Sequence, residues 1–201
     1  MLPDNQTQAW VGQSVVISEK MDGENTTIYA DGYIHARSID GRSHPSRDWV
    51  KAHIMPKIQG NIPENFRVCG ENLYAKHSIG YEALKSYFLV FSVWKDERCL
   101  DWEETLEWVR LLELNHVPIL FSGKLAENTL EKIQGSSDPN KSEGFVVRSQ
   151  AGFTLDAFGE NIMKFVRQGH VQTEEHWMRT KITPNSLKKP KPTTPGTSPE
   201  A

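Results

Sequence analysis

Residues 15–25 read Val-Val-Ile-Ser-Glu-Lys-Met-Asp-Gly-Glu-Asn. An apolar strand runs into Glu19 and Lys20, and a glycine turn follows at Gly23. Strand ends and turns are where reactive side chains are displayed. Taken alone, a lysine flanked by Glu19, Asp22 and Glu24 reads sooner as a salt-bridged surface turn than as a reactive group. The rest of the chain has to decide between the two.

Outward from that stretch, short strands dominate. Thr26–Ala30 and Tyr33–Ser38 flank Asp31-Gly32, a hairpin signal because such turns need positive φ. Ser46 is placed to cap a helix through Trp49, Val50 and Ile54 that Pro56 ends. Phe66–Tyr74 and Tyr87–Trp94 read as buried strands. Asp101 with Glu104 three residues on forms a capping-box pattern before Leu106, Val109, Leu112 and Leu114. Residues 117–121 read as a strand and 125–134 as a helix. Residues 144–149, 153–158 and 162–167 complete the strands, and Thr173 is placed to cap a last turn through Trp177. Strands outnumber helices and hairpins outnumber βαβ units, which predicts an α+β fold with antiparallel sheets.

Composition narrows the class. The 201 residues suit one domain with a tail. Six Trp and eight Phe supply a core although apolar residues are only 37%. The formal charge of −3 disfavours a globally basic nucleic-acid binder. Two cysteines build no disulfide framework, and no zinc spacing is present. No signal peptide or long apolar run is visible, which predicts a soluble, cytoplasmic protein with no membrane contact. The segment 181–201, rich in Pro, Lys, Ser and Thr, is expected to be a disordered tail behind a domain over 1–180. Seven histidines show no metal spacing. His170 and His176, with Glu174 and Glu175 between them, read as a solvated edge.

Further polar residues stand at or within apolar strands, where an unpaired charge is costly. Arg37 follows Ala36 near the end of the strand after the hairpin. Glu71 follows Val68-Cys69-Gly70. Phe91 lies inside the run Phe88–Trp94. Glu143 precedes Gly144-Phe145-Val146-Val147, and Lys164 lies inside Ile162–Val166. Two acids and three bases placed this way imply one shared polar cleft.

In this order the segments resemble the covalent nucleotidyltransferase superfamily of ATP-dependent DNA and RNA ligases and mRNA capping enzymes. Lys20-Met21-Asp22-Gly23 looks like its motif I and Ala36-Arg37-Ser38 like motif Ia. Gly70-Glu71-Asn72-Leu73-Tyr74 looks like motif III and Phe91-Ser92-Val93-Trp94 like motif IIIa. Glu143-Gly144-Phe145-Val146-Val147 and Met163-Lys164-Phe165-Val166 look like motifs IV and V. Glu19 and Asn25 around the lysine resemble the phage-type branch of RNA ligases that seals nicks in duplex RNA. The resemblance covers residues 15 to about 168. It implies the adenylyltransferase core, ATP-grasp-like; too little sequence follows residue 168 for a C-terminal OB domain, so none is expected. It also implies joining of RNA 3′-OH and 5′-phosphate ends through lysyl-AMP, with ATP and Mg²⁺ or Mn²⁺.

The roles it implies are specific. Lys20 is the nucleophile, Glu19 reads the adenine edge, Arg37 and Glu71 hold the ribose, and Phe91 stacks on adenine. Lys164 contacts the α-phosphate, Asn25 meets a phosphate, and Glu143 is the metal carboxylate. The expected partners are RNA ends, nicked or single-stranded, with an accessory RNA-binding or end-processing protein; the expected state is a monomer. Two departures stand out: Val166 takes the place of a second motif V lysine, with Arg167 beside it, and Ser92 takes the place of an acid after Phe91. A DNA ligase, a GTP-using capping enzyme and a non-catalytic RNA- or nucleotide-binding module of the same fold are the competing readings.

Overall fold

The structure, a computed structural model, describes residues 7–36, 44–136, 138, 141–167 and 182–189. Two sheets carry the fold. In the first, the strand order is β11 (Ile162–Val166), β9 (Gly144–Ser149), β1 (Ser14–Lys20), β8 (Ile119–Lys124), all antiparallel. In the second it is β10 (Phe153–Thr154), β6 (Arg98–Cys99), β5 (Phe88–Lys95), β4 (Phe66–Asn72), β2 (Glu24–Tyr29), β3 (Ile34–Ala36). The two-residue β7 (Asn115–His116) adds to β5 in parallel, an exception to the antiparallel expectation.

Alternation along β1 decides what each sheet face buries. Val15 and Ile17 join Phe145, Val147, Met163 and Phe165 in one core, closed by Leu130 and Ile133 of α4 (Thr129–Ser136). The second sheet rests on α1 (Asp48–His53) and α2 (Met55–Ile58) through Val50, Ile54 and Ile58. It also rests on α3 (Trp102–Leu111) through Val109. The sheets meet in two smaller clusters. Ile119 of β8 packs with Leu89 and Leu73, and Ile162 of β11 with Cys69 and Trp94. Among the described residues no helix is long and apolar enough to cross a membrane.

The capping box forms as expected: Glu104 N–H donates to the Asp101 carboxylate at 2.8 Å, and Asp101 N–H to Glu104 at 3.2 Å. Four other expectations change. In the hairpin only Gly32 has positive φ, +87°, and Tyr29 and Tyr33 pair across three loop residues, so the turn is longer than the two-residue type. At the helix after residue 44, His44 rather than Ser46 provides the side-chain cap. Pro56 starts the separate α2 instead of ending a helix, because the first turn needs no N–H from it. Residues 153–158 form a two-residue strand and then lead into α5 (Phe158–Asn161).

A fifth change concerns the tail. Residues 182–189 are not loose. They lie along the 73–87 loop through the bridges Ala75 to Pro184 and Leu84 to Leu187. Asn185 is buried there with its polar atoms bonded. Composition underestimated the segment because backbone pairing and one asparagine, not apolar bulk, hold it. The expected turn at Thr173–Trp177 lies outside the described residues.

Candidate active site

Lys20 is the last residue of β1, and its cross-strand partner is Gly144 of β9. Gly144 takes φ +155°, and a β-carbon there would lie 2.0 Å from Phe165 O, so only glycine lets β9 and β11 close together at this point. That closeness brings Glu143, one residue earlier, to the lysine. Lys20 Nζ donates to Glu143 Oε1 at 2.6 Å, with the carboxylate almost wholly buried and the lysine partly open. The pair is a short, charge-assisted hydrogen bond.

The turn after Lys20 then folds against β4. Gly23 N–H donates to Glu71 Oε1 at 3.1 Å. Glu71 is half-buried, and desolvation pushes its carboxyl up to about 8, offset in part by Lys20 and reinforced by Glu143 and Asp22. Three residues far apart in sequence, Lys20, Glu71 and Glu143, are thus within electrostatic reach of one another.

Asn25 is exposed and stands directly across from Glu71 in the β2–β4 ladder. Lys164 pairs with Val146, which pairs with Ser18, so Lys164 lies on the same sheet face as Lys20, one row away. It is exposed. Phe91 occupies a β-bulge: Cys69 pairs with Ser92 and Gly70 with Val90, leaving Phe91 unpaired in the ladder. Such bulges re-aim a side chain, and the ring is half-buried between the two clusters that join the sheets. Glu19 differs. Alternation puts it in the row of Phe145 and Phe165, opposite Lys20, and burial raises its pKa. Arg37 lies outside the described residues.

Sequence reasoning missed four residues that build this site. Asp22 accepts from Ser78 Oγ at 2.6 Å and Ile79 N–H at 2.8 Å, while its own N–H donates to Tyr81 Oη at 2.9 Å. Glu24 and Arg47 form a buried bidentate pair with bonds of 2.8 and 2.7 Å. Arg148 of β9 donates to Leu100 O at 2.8 Å and to Phe91 O at 3.4 Å, tying one sheet to the other. Only Asp22 carried a signal, its place beside the glycine turn; the partners of the others are remote in sequence.

No three His, Cys, Asp or Glu side chains among the described residues form a closed metal cage. The carboxylate donor present, Glu143, suits a hard cation held mostly by water and substrate phosphates, as Mg²⁺ is.

A lysine at a strand end, with carboxylates on neighbouring segments where two sheets pack together, is the arrangement of a nucleotidyltransferase-type domain. The RNA ligase family model matches residues 13–166, and the chain belongs to that family. Among solved structures, Naegleria gruberi RNA ligase with PPi superposes with TM-score 0.59 at 23% identity, covering 80% of this chain and 52% of that one. A lysine-to-alanine mutant of the same ligase with ATP and Mn gives TM-score 0.58 at 22% identity, covering 81% and 51%. A putative ATP-dependent DNA ligase from Aquifex aeolicus gives 0.54 at 21%, covering 81% and 46%. The chain therefore spans about half the length of the solved ligases it matches. Comparison with curated proteins gives no match.

Proposed function

We propose that the chain is an ATP-dependent RNA ligase that joins 3′-OH and 5′-phosphate ends through a lysyl-AMP intermediate on Lys20. The observation that carries this reading is the Lys20–Glu143 contact of 2.6 Å with Glu71 within electrostatic reach of both. Family membership and the Naegleria gruberi ligase with ATP and Mn support the choice of nucleotide and metal.

In the first step the Lys20 amine attacks the α-phosphorus of ATP. A P–N bond forms, the bond to the bridging oxygen breaks, and pyrophosphate leaves. The amine must first lose a proton, which for a free lysine costs roughly 4 kcal/mol near pH 7.4. Glu143 Oε1 is the acceptor already within hydrogen-bond reach of that proton. Lys164, on the same sheet face, supplies positive charge toward the α-phosphate. The half-buried Phe91 ring offers a face for adenine, and Glu71 and Arg37 address the ribose. Glu143, with water, would hold a divalent cation, which would supply positive charge to the phosphates. AMP then passes to an RNA 5′-phosphate, and a 3′-OH attacks that phosphate and releases AMP. Both steps depend on positioning and charge stabilisation. Asn25, exposed at the cleft side of the ladder, is assigned to a phosphate of the incoming end.

The test is incubation with α-labelled ATP or GTP and Mg²⁺ or Mn²⁺, read as label retained after denaturing electrophoresis. The expected result is label from ATP that is absent in Lys20→Ala, followed by sealing of nicked RNA in preference to nicked DNA. Intact mass and added pyrophosphate reveal protein already adenylylated. No adduct from either nucleotide in unmodified protein rules the reading out in favour of a non-catalytic module.

A further inference from the structure

We propose that residues 182–189 are a strap that positions the nucleophile turn, with Asn185 and Tyr81 as its positioning residues. The inference rests on the reading of Lys20 as the nucleophile. Asn185 spends every polar group on one loop. Its N–H donates to Tyr74 O at 3.0 Å and its Nδ2 to Leu73 O at 2.8 Å. Its Oδ1 accepts from Tyr81 N–H at 2.8 Å and its carbonyl from Tyr87 Oη at 2.9 Å. Ser186 N–H adds a bond to Tyr81 O at 2.9 Å, and Lys76 N–H donates to Thr183 O at 2.8 Å. The strap thus grips the 73–87 loop along much of its length.

The other side of that loop grips the turn that follows Lys20. Tyr81 Oη accepts the Asp22 N–H at 2.9 Å. The Asp22 carboxylate accepts from Ser78 and from Ile79, both in the loop. Met21, between Lys20 and Asp22, packs in one cluster with Leu73, Leu84, Tyr81 and Tyr87. Leu84 itself bridges to Leu187 of the strap. A polar path and an apolar path therefore run from Asn185 to the residues directly after the nucleophile. A loop of fifteen residues held at one face only would leave the Asp22 turn several alternatives; held at both, it fixes where the β1 strand ends. The strap's hydrogen bonds go to the 73–87 loop, so its contribution is the placement of the amine, not binding of nucleotide. Misplacement by about 1 Å is worth up to about a hundredfold in rate.

The experiment compares the full chain with Tyr81→Phe, Asn185→Ala and the double variant. It measures the single-turnover rate of adduct formation at saturating ATP, the ATP concentration at half-maximal rate, and the thermal midpoint. Tyr81→Phe and Asn185→Ala are each expected to slow adduct formation about tenfold, with the half-maximal ATP concentration changed less than twofold. The double variant is expected to be no slower than the slower single one, because both cut the same path. Lys188→Ala, on an exposed strap side chain, is expected to match the unmodified chain. Tyr81→Phe keeps the ring and the strap contacts, so it carries the test even if Asn185→Ala fails to fold. A Tyr81→Phe rate within twofold of the unmodified chain overturns the strap. A lowered midpoint with an unchanged rate does the same, and reduces the segment to scaffolding. Failure of the unmodified chain to form any adduct overturns the functional reading and the strap together, and so is told apart from failure of the strap alone.

Discussion

Gly23 has no room for a β-carbon. One placed there would lie 2.6 Å from Asn72 O and 2.8 Å from Leu73 Cδ2, and the first of these is backbone. The N–H of the same residue reaches Glu71, so the turn after Lys20 and the Glu71 carboxylate share one contact. Gly23→Ala is expected to cost about 1–3 kcal/mol in urea unfolding and to slow adduct formation. Glu71 itself makes stability depend on pH. Its carboxyl is raised by burial to about 8, above the ordinary 4.5 of an unfolded chain. The folded state therefore holds the proton more tightly. The stability this gives is complete below about pH 4.5 and is lost as pH rises through about 8. Thermal midpoints of the unmodified protein are expected to carry a falling component between pH 5 and 8. Glu71→Gln, neutral at every pH, should remove that component; an identical pH profile in the variant would contradict the assignment.

At the scale of elements, the buried pair of Glu24 and Arg47 locks the short 3-10 turn at Pro45–Arg47 onto β2. Asn72 of β4 donates to Ser46 O at 3.1 Å and adds the second tie. Both charged side chains are nearly inaccessible to water. Arg47→Ala leaves a carboxylate buried without its partner and is expected to cost about 3–5 kcal/mol by urea titration. The double replacement Glu24→Leu with Arg47→Met should recover most of that loss. Sequence reading found β2 and β4 from their apolar periodicity, because alternation is a local property. It did not find this pair, since Glu24 beside a lysine turn looks like surface charge and Arg47 is separated from it by the hairpin. The two-part helix of α1 and α2 escaped for a related reason: Pro56 ends or begins a helix depending on the residues around it. The tail escaped because low apolar content argues for disorder only when no backbone edge is waiting to pair.

For the whole molecule, the candidate site was legible where chemistry forces a residue type. Lys20, Glu71 and Glu143 each stand as a charge beside an apolar strand, and the structure brings those three together. Their surroundings were not legible, because the scaffold that sets distances is made of side chain–backbone bonds between distant segments. Arg148 shows this most clearly. It sits on β9 only a few residues from Glu143, reads as an ordinary strand arginine, and is buried. Its guanidinium lies over the Trp102 and Phe153 rings at 5.4 and 5.7 Å and donates to carbonyls of Phe91 and Leu100. Burial lowers its pKa, so the fold bears a desolvation cost to keep it there. Arg148 therefore joins the lysine-bearing sheet to the bulge that aims Phe91. Arg148→Met keeps the apolar stem but leaves carbonyl oxygens unmatched at about 1–3 kcal/mol each. The expected result is a lower urea midpoint, with Trp fluorescence, which reports on Trp94 and Trp102 near the seam, changing before far-ultraviolet circular dichroism. If Phe91 is the adenine face, the same variant raises the ATP concentration needed for half-maximal adduct formation more than it lowers the saturated rate. That is the opposite of the pattern expected from the strap variants, because one tie holds the nucleotide pocket and the other holds the nucleophile. Equal loss in both parameters for both sets of variants would mean that the molecule transmits a single general loosening, and that neither tie has a separate role.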